Sequence, residues 1–222
     1  MNLPEPVPDQ AALARLGAQV SARLVANPDV LAVAAPGLEL FAIGGFLGNA
    51  ECESLIAMID AIAKPSALHE LDYASGYRTS YSGDLDPSDP MVASISRRID
   101  ALLGIDAANG EPLQGQRYLP GQEYKPHNDW FYTSEGYWPQ EDARGGQRSW
   151  TAMAYCNDVA AGGATAFVAA GLRIEPRRGA LLVWNNALPG GQPNEGTLHA
   201  GLPVERGGKY IVTKWYRARQ WG

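Results

Sequence analysis

Tyr118-Leu-Pro-Gly-Gln-Glu-Tyr-Lys-Pro-His-Asn-Asp129 is the stretch from which the rest of the chain can be read. It holds His127, one of only three histidines, with a carboxylate two residues further on. Alternate side chains of a strand point to one face, so an extended Glu123–Trp130 aims His127 and Asp129 at a common point. That is two-thirds of a two-histidine, one-carboxylate set, which holds Fe(II) and leaves coordination positions open. On its own the pattern is weak, because a solvated histidine beside a turn-forming aspartate looks the same.

Outward from this stretch, short strand-like runs separated by Gly, Pro and Asn continue to the C-terminus. Strands are expected near 113–119, 123–130, 148–157, 164–168, 171–175, 179–184, 196–204 and 208–217. Eight short strands with turn signals between them fit a double-stranded β-helix, or jelly roll. The 25 glycines and 16 prolines agree with a turn-rich, strand-rich architecture. Between two of these strands lies 131–147, a long polar segment with Tyr132, Tyr137 and Trp138, of a length typical of lids and binding loops.

Upstream the period changes. Leu13, Leu16, Val20 and Leu24 recur at helical spacing, with Asp9 as candidate cap and Asn27-Pro28 as the stop. Leu38–Ile43 reads as a strand. Asn49 is the candidate cap of a second helix carrying Leu55, Ile56, Ile59 and Ile62, stopped at Lys64-Pro65. A strand is expected around Tyr77–Tyr81. A third helix starts at Ser88, with Asp89 and Pro90 in its first turn and Val92, Ile95, Ile99 and Leu102 inward. None of the helices carries a charge constellation that suggests chemistry, so they read as a packing layer. The expected class is mainly β with flanking helices (α+β). An arm and helix over 1–37 precede a single compact domain over 38–222.

The chain's 222 residues, 45% of them hydrophobic, suffice for a sizeable core. A net charge of −6 argues against a nucleic-acid partner. Cys52 and Cys156 sit in unlike contexts and read as buried free thiols rather than a disulfide framework. The N-terminal Met-Asn-Leu-Pro-Glu-Pro-Val-Pro lacks a basic segment followed by an apolar one. No stretch reaches the ~20 apolar residues of a membrane span. The expectation is a cytoplasmic protein without a membrane partner.

A second histidine, His199, lies in Gly196-Thr-Leu-His-Ala-Gly-Leu-Pro-Val204. Strands distant in sequence face one another across a jelly roll, so His199 can meet His127 and Asp129. The remaining His69 reads as an ordinary surface or loop residue. In the last strand Lys209, Ile211, Thr213 and Trp215 alternate onto one face, and Tyr210, Val212 and Lys214 onto the other. A lysine among inward residues needs an anion, from a protein carboxylate or an acidic ligand, because an unpaired buried charge is costly. The plainer alternative is a lysine at the solvated end of its strand.

Taken together, these residues resemble the prolyl 4-hydroxylase-type Fe(II)/2-oxoglutarate dioxygenases, from about Leu40 to Arg217. Phe46-Leu-Gly-Asn-Ala-Glu-Cys-Glu-Ser-Leu-Ile56 is similar to the family's entry into its first core helix, and Arg78-Thr-Ser80 to a strand beside its substrate cleft. Gly145-Gly-Gln-Arg-Ser-Trp-Thr151, Tyr155-Cys-Asn-Asp-Val159 and Gly162-Gly-Ala-Thr165 resemble its central strands. Gly179-Ala-Leu-Leu-Val-Trp-Asn185 and His199-Ala-Gly-Leu-Pro-Val204 resemble its closing ones, and the blocks occur in the family's order. One departure is Ala164, where the family often has Glu; its side chain should point away from that of Thr165.

The resemblance implies that His127, Asp129 and His199 hold Fe(II). It assigns Lys209 to the distal carboxylate of 2-oxoglutarate, helped by Tyr118 and Thr165. It places Tyr124, Arg148, Trp215 and Arg78 around the substrate, with two core aromatics and a structural ion pair as the plainer readings of Tyr124, Trp215 and Arg148. It implies hydroxylation driven by O2 and by decarboxylation of 2-oxoglutarate to succinate, with ascorbate as a possible accessory. The carboxylate of Asp129 favours hydroxylation, since related halogenating enzymes lack it. The implied substrate is a prolyl residue in a protein or peptide, with a free amino acid or other small molecule as the alternative. A nucleic-acid demethylase fits less well, because those relatives typically grip 2-oxoglutarate with arginine. A zinc-dependent hydrolase or a non-catalytic jelly-roll module would leave Tyr118, Thr165 and Lys209 without a purpose.

Overall fold

The apolar stripes upstream form helices and the Gly- and Pro-punctuated remainder forms strands in the computed structural model, which describes residues 8–66 and 76–222. His69 and the first seven residues of the arm lie outside the described residues. In chain order the elements are α1 (Gln10–Val25), β1 (Leu31–Val33), β2 (Leu40–Ile43), α2 (Asn49–Ile62), β3 (Lys64–Pro65) and β4 (Tyr81–Asp84). There follow α3 (Pro90–Leu103), β5 (Gln114–Tyr118), β6 (Tyr124–His127), α4 (Trp138–Ala143), β7 (Arg148–Tyr155) and β8 (Ala161–Gly162). The chain closes with β9 (Thr165–Phe167), β10 (Leu172–Ile174), β11 (Leu181–Asn185), β12 (His199–Gly201), β13 (Val204–Arg206) and β14 (Lys209–Arg217).

An eight-stranded antiparallel sheet runs β1-β2-β11-β7-β14-β5-β4-β3, and a four-stranded one runs β10-β9-β12-β6, with β8 and β13 paired beside them. This is the expected jelly-roll core with a helical layer. Strands β7, β11 and β14 are buried almost throughout, because the large sheet is covered on both faces. On one face Trp150, Ala152, Ala154, Val183 and Val212 pack against Leu24 of α1, Leu55 and Ile59 of α2, and Ile95 and Ile99 of α3. On the other, Met153, Tyr155, Leu182, Trp184 and Ile211 meet Phe167 of the small sheet. Gly115 allows α2 to approach β5, since a Cβ there would collide with the Ile59 side chain.

Several local expectations are corrected. Asp9 precedes α1 with φ 61° and caps nothing with its side chain; its carboxylate instead pairs with Arg219 at 3.0 Å and accepts the Gln147 N–H at 3.2 Å. Asn49 is already helical. The N-cap is Gly48, whose N–H is taken by the Glu51 carboxylate at 2.8 Å. The third helix is capped by Asp89 itself, which accepts from the N–H groups of Met91 and Val92 at 2.9 and 3.1 Å, with Pro90 as first helical residue. The strand expected at Tyr77–Tyr81 begins only at Tyr81, although Arg78 makes an isolated bridge to Tyr124. The run 196–204 splits into β12 and the start of β13.

The segment 131–147 is not structureless. Its middle is α4, and its ends are clasped: the Gln147 side chain accepts from the Phe131 N–H at 2.9 Å and donates to the Phe131 carbonyl at 2.5 Å. Arg217 secures α4 from beneath, donating to Glu141 at 2.6 Å and to the Gly146 carbonyl at 2.8 Å.

Candidate active site

Strands β6 and β12 pair so that His127 and His199 are direct cross-strand partners. Each ring is oriented by the backbone carbonyl two residues before it: His127 Nδ1 lies 2.9 Å from the Lys125 oxygen and His199 Nδ1 lies 2.9 Å from the Thr197 oxygen. A carbonyl only accepts, so both Nδ1 atoms carry the hydrogen and both Nε2 lone pairs remain for a metal. Burial, reinforced by the facing His199, holds the His127 pKa well below the ordinary imidazole value. Asp129 completes the set, with one ligand atom from each of the three residues within 4.8 Å of the others. The strand expected over 123–130 ends at His127, so Asp129 reaches this point from a bend, not by strand alternation. Its Oδ2 accepts from the Thr151 hydroxyl at 2.7 Å. Trp184 and Phe167 wall the site, their rings 5.0 and 5.7 Å from that of His199.

These three residues share a cavity of about 440 Å³, which is lined by all ten residues singled out in the sequence. At its inner end Lys209 is only 1% exposed. Its Nζ donates to Thr165 Oγ1 at 3.3 Å and lies 5.3 and 5.7 Å from the ring centres of Tyr118 and Tyr155. Among the described residues no carboxylate forms an ion pair with it, and burial lowers its pKa to about 7. Thr165 Oγ1 also accepts from the Tyr155 hydroxyl at 2.7 Å, so its own hydrogen is left for another acceptor. Gly201 keeps the space open: a Cβ there would stand 3.8 Å from Lys209 Nζ. A buried ammonium, a spare hydroxyl donor and an open cradle are the chemistry that receives a carboxylate, and the imidazole–carboxylate set suits Fe(II).

At the outer end Tyr124 stacks on His127, with ring centres 3.4 Å apart, and Arg78 lies 4.7 Å from the Tyr124 ring centre while donating to Ser80 at 3.1 Å. Arg148 is held by Glu111 through two bonds of 2.6 and 2.7 Å and stacks on Trp215 at 4.1 Å. The structural ion pair and the cavity wall are thus one arrangement. Glu111 also takes Arg217 at 2.5 Å. Burial alone would raise the Glu111 pKa, but Arg148 and Arg217 outweigh it and hold the carboxyl below its ordinary value. Several contributors escaped the sequence reading: Tyr155, Glu111, Thr151, and Gln116, which accepts from Tyr118 Oη at 2.9 Å. The available signal was alternation, since Thr151, Met153 and Tyr155 share a face of β7, as do Gln116 and Tyr118 of β5.

Residues 113–217 match the model of the 2OG-Fe(II) oxygenase superfamily. The chain is 34% identical over 210 residues to probable prolyl 4-hydroxylase 8 of Arabidopsis thaliana, covering 82% of this chain and 69% of the relative. It is 36% identical over 146 residues to prolyl 4-hydroxylase subunit alpha-1 of Gallus gallus, covering 64% of this chain but only 28% of that subunit. Among solved structures, the viral collagen prolyl hydroxylase of Paramecium Bursaria Chlorella virus-1, crystallised as its 2OG complex, superposes with a TM-score of 0.61 at 28% identity, covering 79% of this chain and 94% of that one. With its paired histidines, Asp129 and the buried ammonium in one jelly-roll cavity, the chain belongs to the 2OG-Fe(II) oxygenase superfamily, among the 2-oxoglutarate-dependent dioxygenases of prolyl 4-hydroxylase type.

Proposed function

We propose that this protein hydroxylates a prolyl residue in a protein or peptide, consuming 2-oxoglutarate and O2 and releasing succinate and CO2. The observation that carries the reading is one cavity in which three candidate metal ligands stand beside a buried ammonium that has no carboxylate partner among the described residues, and which opens past an aromatic and arginine wall. His127, Asp129 and His199 would hold the iron. Lys209, Thr165 and Tyr118 would hold the distal carboxylate of 2-oxoglutarate. When bound, iron with 2-oxoglutarate and O2 supplies the oxidation that converts an unactivated C–H to C–OH.

The chain's own residues position and shield. The backbone carbonyls of Lys125 and Thr197 set the two imidazoles, and the Trp184 and Phe167 rings keep one side of the site apolar. Tyr124 and Trp215 offer aromatic faces at the mouth, suited to a pyrrolidine ring. Arg78 offers donors to a peptide carbonyl, and Glu111 fixes Arg148 against Trp215. Tyr132, exposed, and Tyr77, half-buried, extend the aromatic lining of the cavity. The names of the plant and animal relatives support the prolyl assignment. A cytoplasmic setting, to which the buried free Cys52 and Cys156 lend support, and ascorbate as accessory reductant belong to the same proposal.

The test is succinate formation from 2-oxoglutarate with Fe(II) under air, with proline-containing peptides and with free proline, and mass analysis of the product. Peptide-dependent succinate with a 16 Da gain on proline is expected. Turnover with free proline but with no peptide would redirect the reading to a small molecule. No iron-dependent 2-oxoglutarate binding would sink it.

A further inference from the structure

Asp129 lies two residues beyond the end of β6, so no ladder hydrogen bond holds its backbone and its carboxylate is left to side-chain contacts. The torsion that turns a carboxylate is soft. Something else must therefore set it, and one candidate touches it: Thr151 of β7, whose Oγ1 is 2.7 Å from Asp129 Oδ2. A second contact lies behind the first. Asn186 Nδ2 is 2.8 Å from Thr151 Oγ1. Thr151 is 0% exposed and Asn186 1%, so water does not compete with either bond.

The direction of this chain follows from the donor inventory alone. An ionised carboxylate only accepts, so the single hydroxyl hydrogen of Thr151 goes to Asp129. Thr151 Oγ1 can then only accept, and Asn186 must present its amide N–H₂ to it. The other amide atom, Asn186 Oδ1, is buried without a partner among the described residues. The orientation that satisfies Thr151 is thus kept although it leaves Oδ1 unsatisfied, at a cost of about 1–3 kcal/mol. The backbone is equally fixed: Thr151 stands between Trp184 of β11 and Trp215 of β14 in register, and the Asn186 N–H is bonded to the Ser149 carbonyl at 2.8 Å.

We propose that Thr151 is a positioning residue for the metal site, with Asn186 directing its hydrogen, so that the rigid large sheet orients a carboxylate ligand that the small sheet does not hold. The proposal rests on the metal-site reading above. It predicts that metal affinity, and not only turnover, depends on a hydroxyl that is not itself a metal ligand.

The experiment is titration of the metal-free protein with Mn(II), followed calorimetrically, together with thermal melting of the same metal-free samples. The isosteric Thr151→Val is expected to bind Mn(II) about 10- to 100-fold more weakly, the range typical of lost partners of metal ligands. Thr151→Ser, which keeps the donor, is expected to remain within about threefold of the parent. If the valine variant does not fold, Thr151→Ala serves in its place. Removal of the director in Asn186→Ala is expected to give a smaller loss, of about threefold or more. Parent-like Mn(II) binding by Thr151→Val or Thr151→Ala overturns the proposal. A serine variant as weak as valine overturns it too, since packing and not the hydroxyl would then be responsible. Parent-like binding by Asn186→Ala overturns the part assigned to Asn186. Failure of the parent protein to bind Mn(II) would instead remove the metal-site reading on which the proposal stands.

Discussion

His127 and His199, 72 positions apart in the chain, are direct partners across β6 and β12, with ring centres 4.2 Å apart. The same β12 pairs on its other side with β9, where Gly201 stands opposite Thr165. One three-residue strand thus ties the imidazole end of the cavity to the end where Thr165 and Lys209 stand. Separate substitutions at its two ends should therefore separate the two functions.

Gly201→Ala tests the end at which Lys209 stands. Gly201 does not adopt a positive φ, so alanine is conformationally permitted, but its methyl group would occupy the space before Lys209 Nζ. The expected outcome is a rise in the dissociation constant for 2-oxoglutarate of at least about tenfold with Mn(II) affinity unchanged, measured by calorimetry on each ligand separately.

Lys209→Met should raise stability while abolishing 2-oxoglutarate binding. The lysine is buried without an ion-pair partner among the described residues, and methionine fills a similar volume without a charge to desolvate. A gain of about 1–3 kcal/mol in denaturant unfolding of the metal-free protein is expected. A destabilised variant would show that Lys209 is already satisfied in the free protein.

Binding of 2-oxoglutarate should depend on pH through the same residue. Burial lowers the Lys209 pKa to about 7, and a bound carboxylate raises it again. Below pH 7 the ammonium is already charged and affinity is flat. Above it, binding must take up a proton, so affinity falls by up to about tenfold per pH unit. Calorimetry in buffers of different ionisation enthalpy should show about one proton taken up at pH 8 and close to none at pH 6.

Glu111 is the shared partner of two buried arginines, and Glu111→Gln leaves Arg148 and Arg217 short of charge. A loss of about 3–5 kcal/mol in unfolding free energy is expected. The folded-state pKa of Glu111 lies below its ordinary 4.5. Its contribution is therefore complete above that pH and is lost only as the pH falls through the lowered value. The parent should lose stability to Glu111→Gln steadily below pH 4.5, and at neutral pH the gap should be constant.

Period and spacing were enough to single out residues that the fold brings into one cavity. The alternation of Lys209, Ile211, Thr213 and Trp215 is the arrangement observed, because a strand's two faces are fixed by its own covalent geometry. Asp129 was reached for a different reason than alternation suggests: the strand stops at His127 and a hydroxyl from another sheet does the orienting. Alternation can put Thr151 on the inward face of β7, but its link to Asp129 and Asn186 acquires meaning only once β7 and β11 are neighbours. The same holds for Asp9, which makes a poor cap because Arg219, 210 residues away, competes for its carboxylate. The short β1 carries no apolar alternation, its first two residues being exposed, so its edge position left no pattern to read.

The clasp between Gln147 and Phe131 bears on how this enzyme could change hands between substrates. It joins the two ends of the intervening segment, and Arg217 fixes the helix within it, so the rim residues Tyr132 and Glu135 hang from a closed frame. Lengthening or exchanging that rim costs little closure entropy and leaves His127, Asp129 and His199 untouched. The entrance can diversify as a cassette, and new specificities can be selected or designed there without renegotiating the oxidative chemistry beneath.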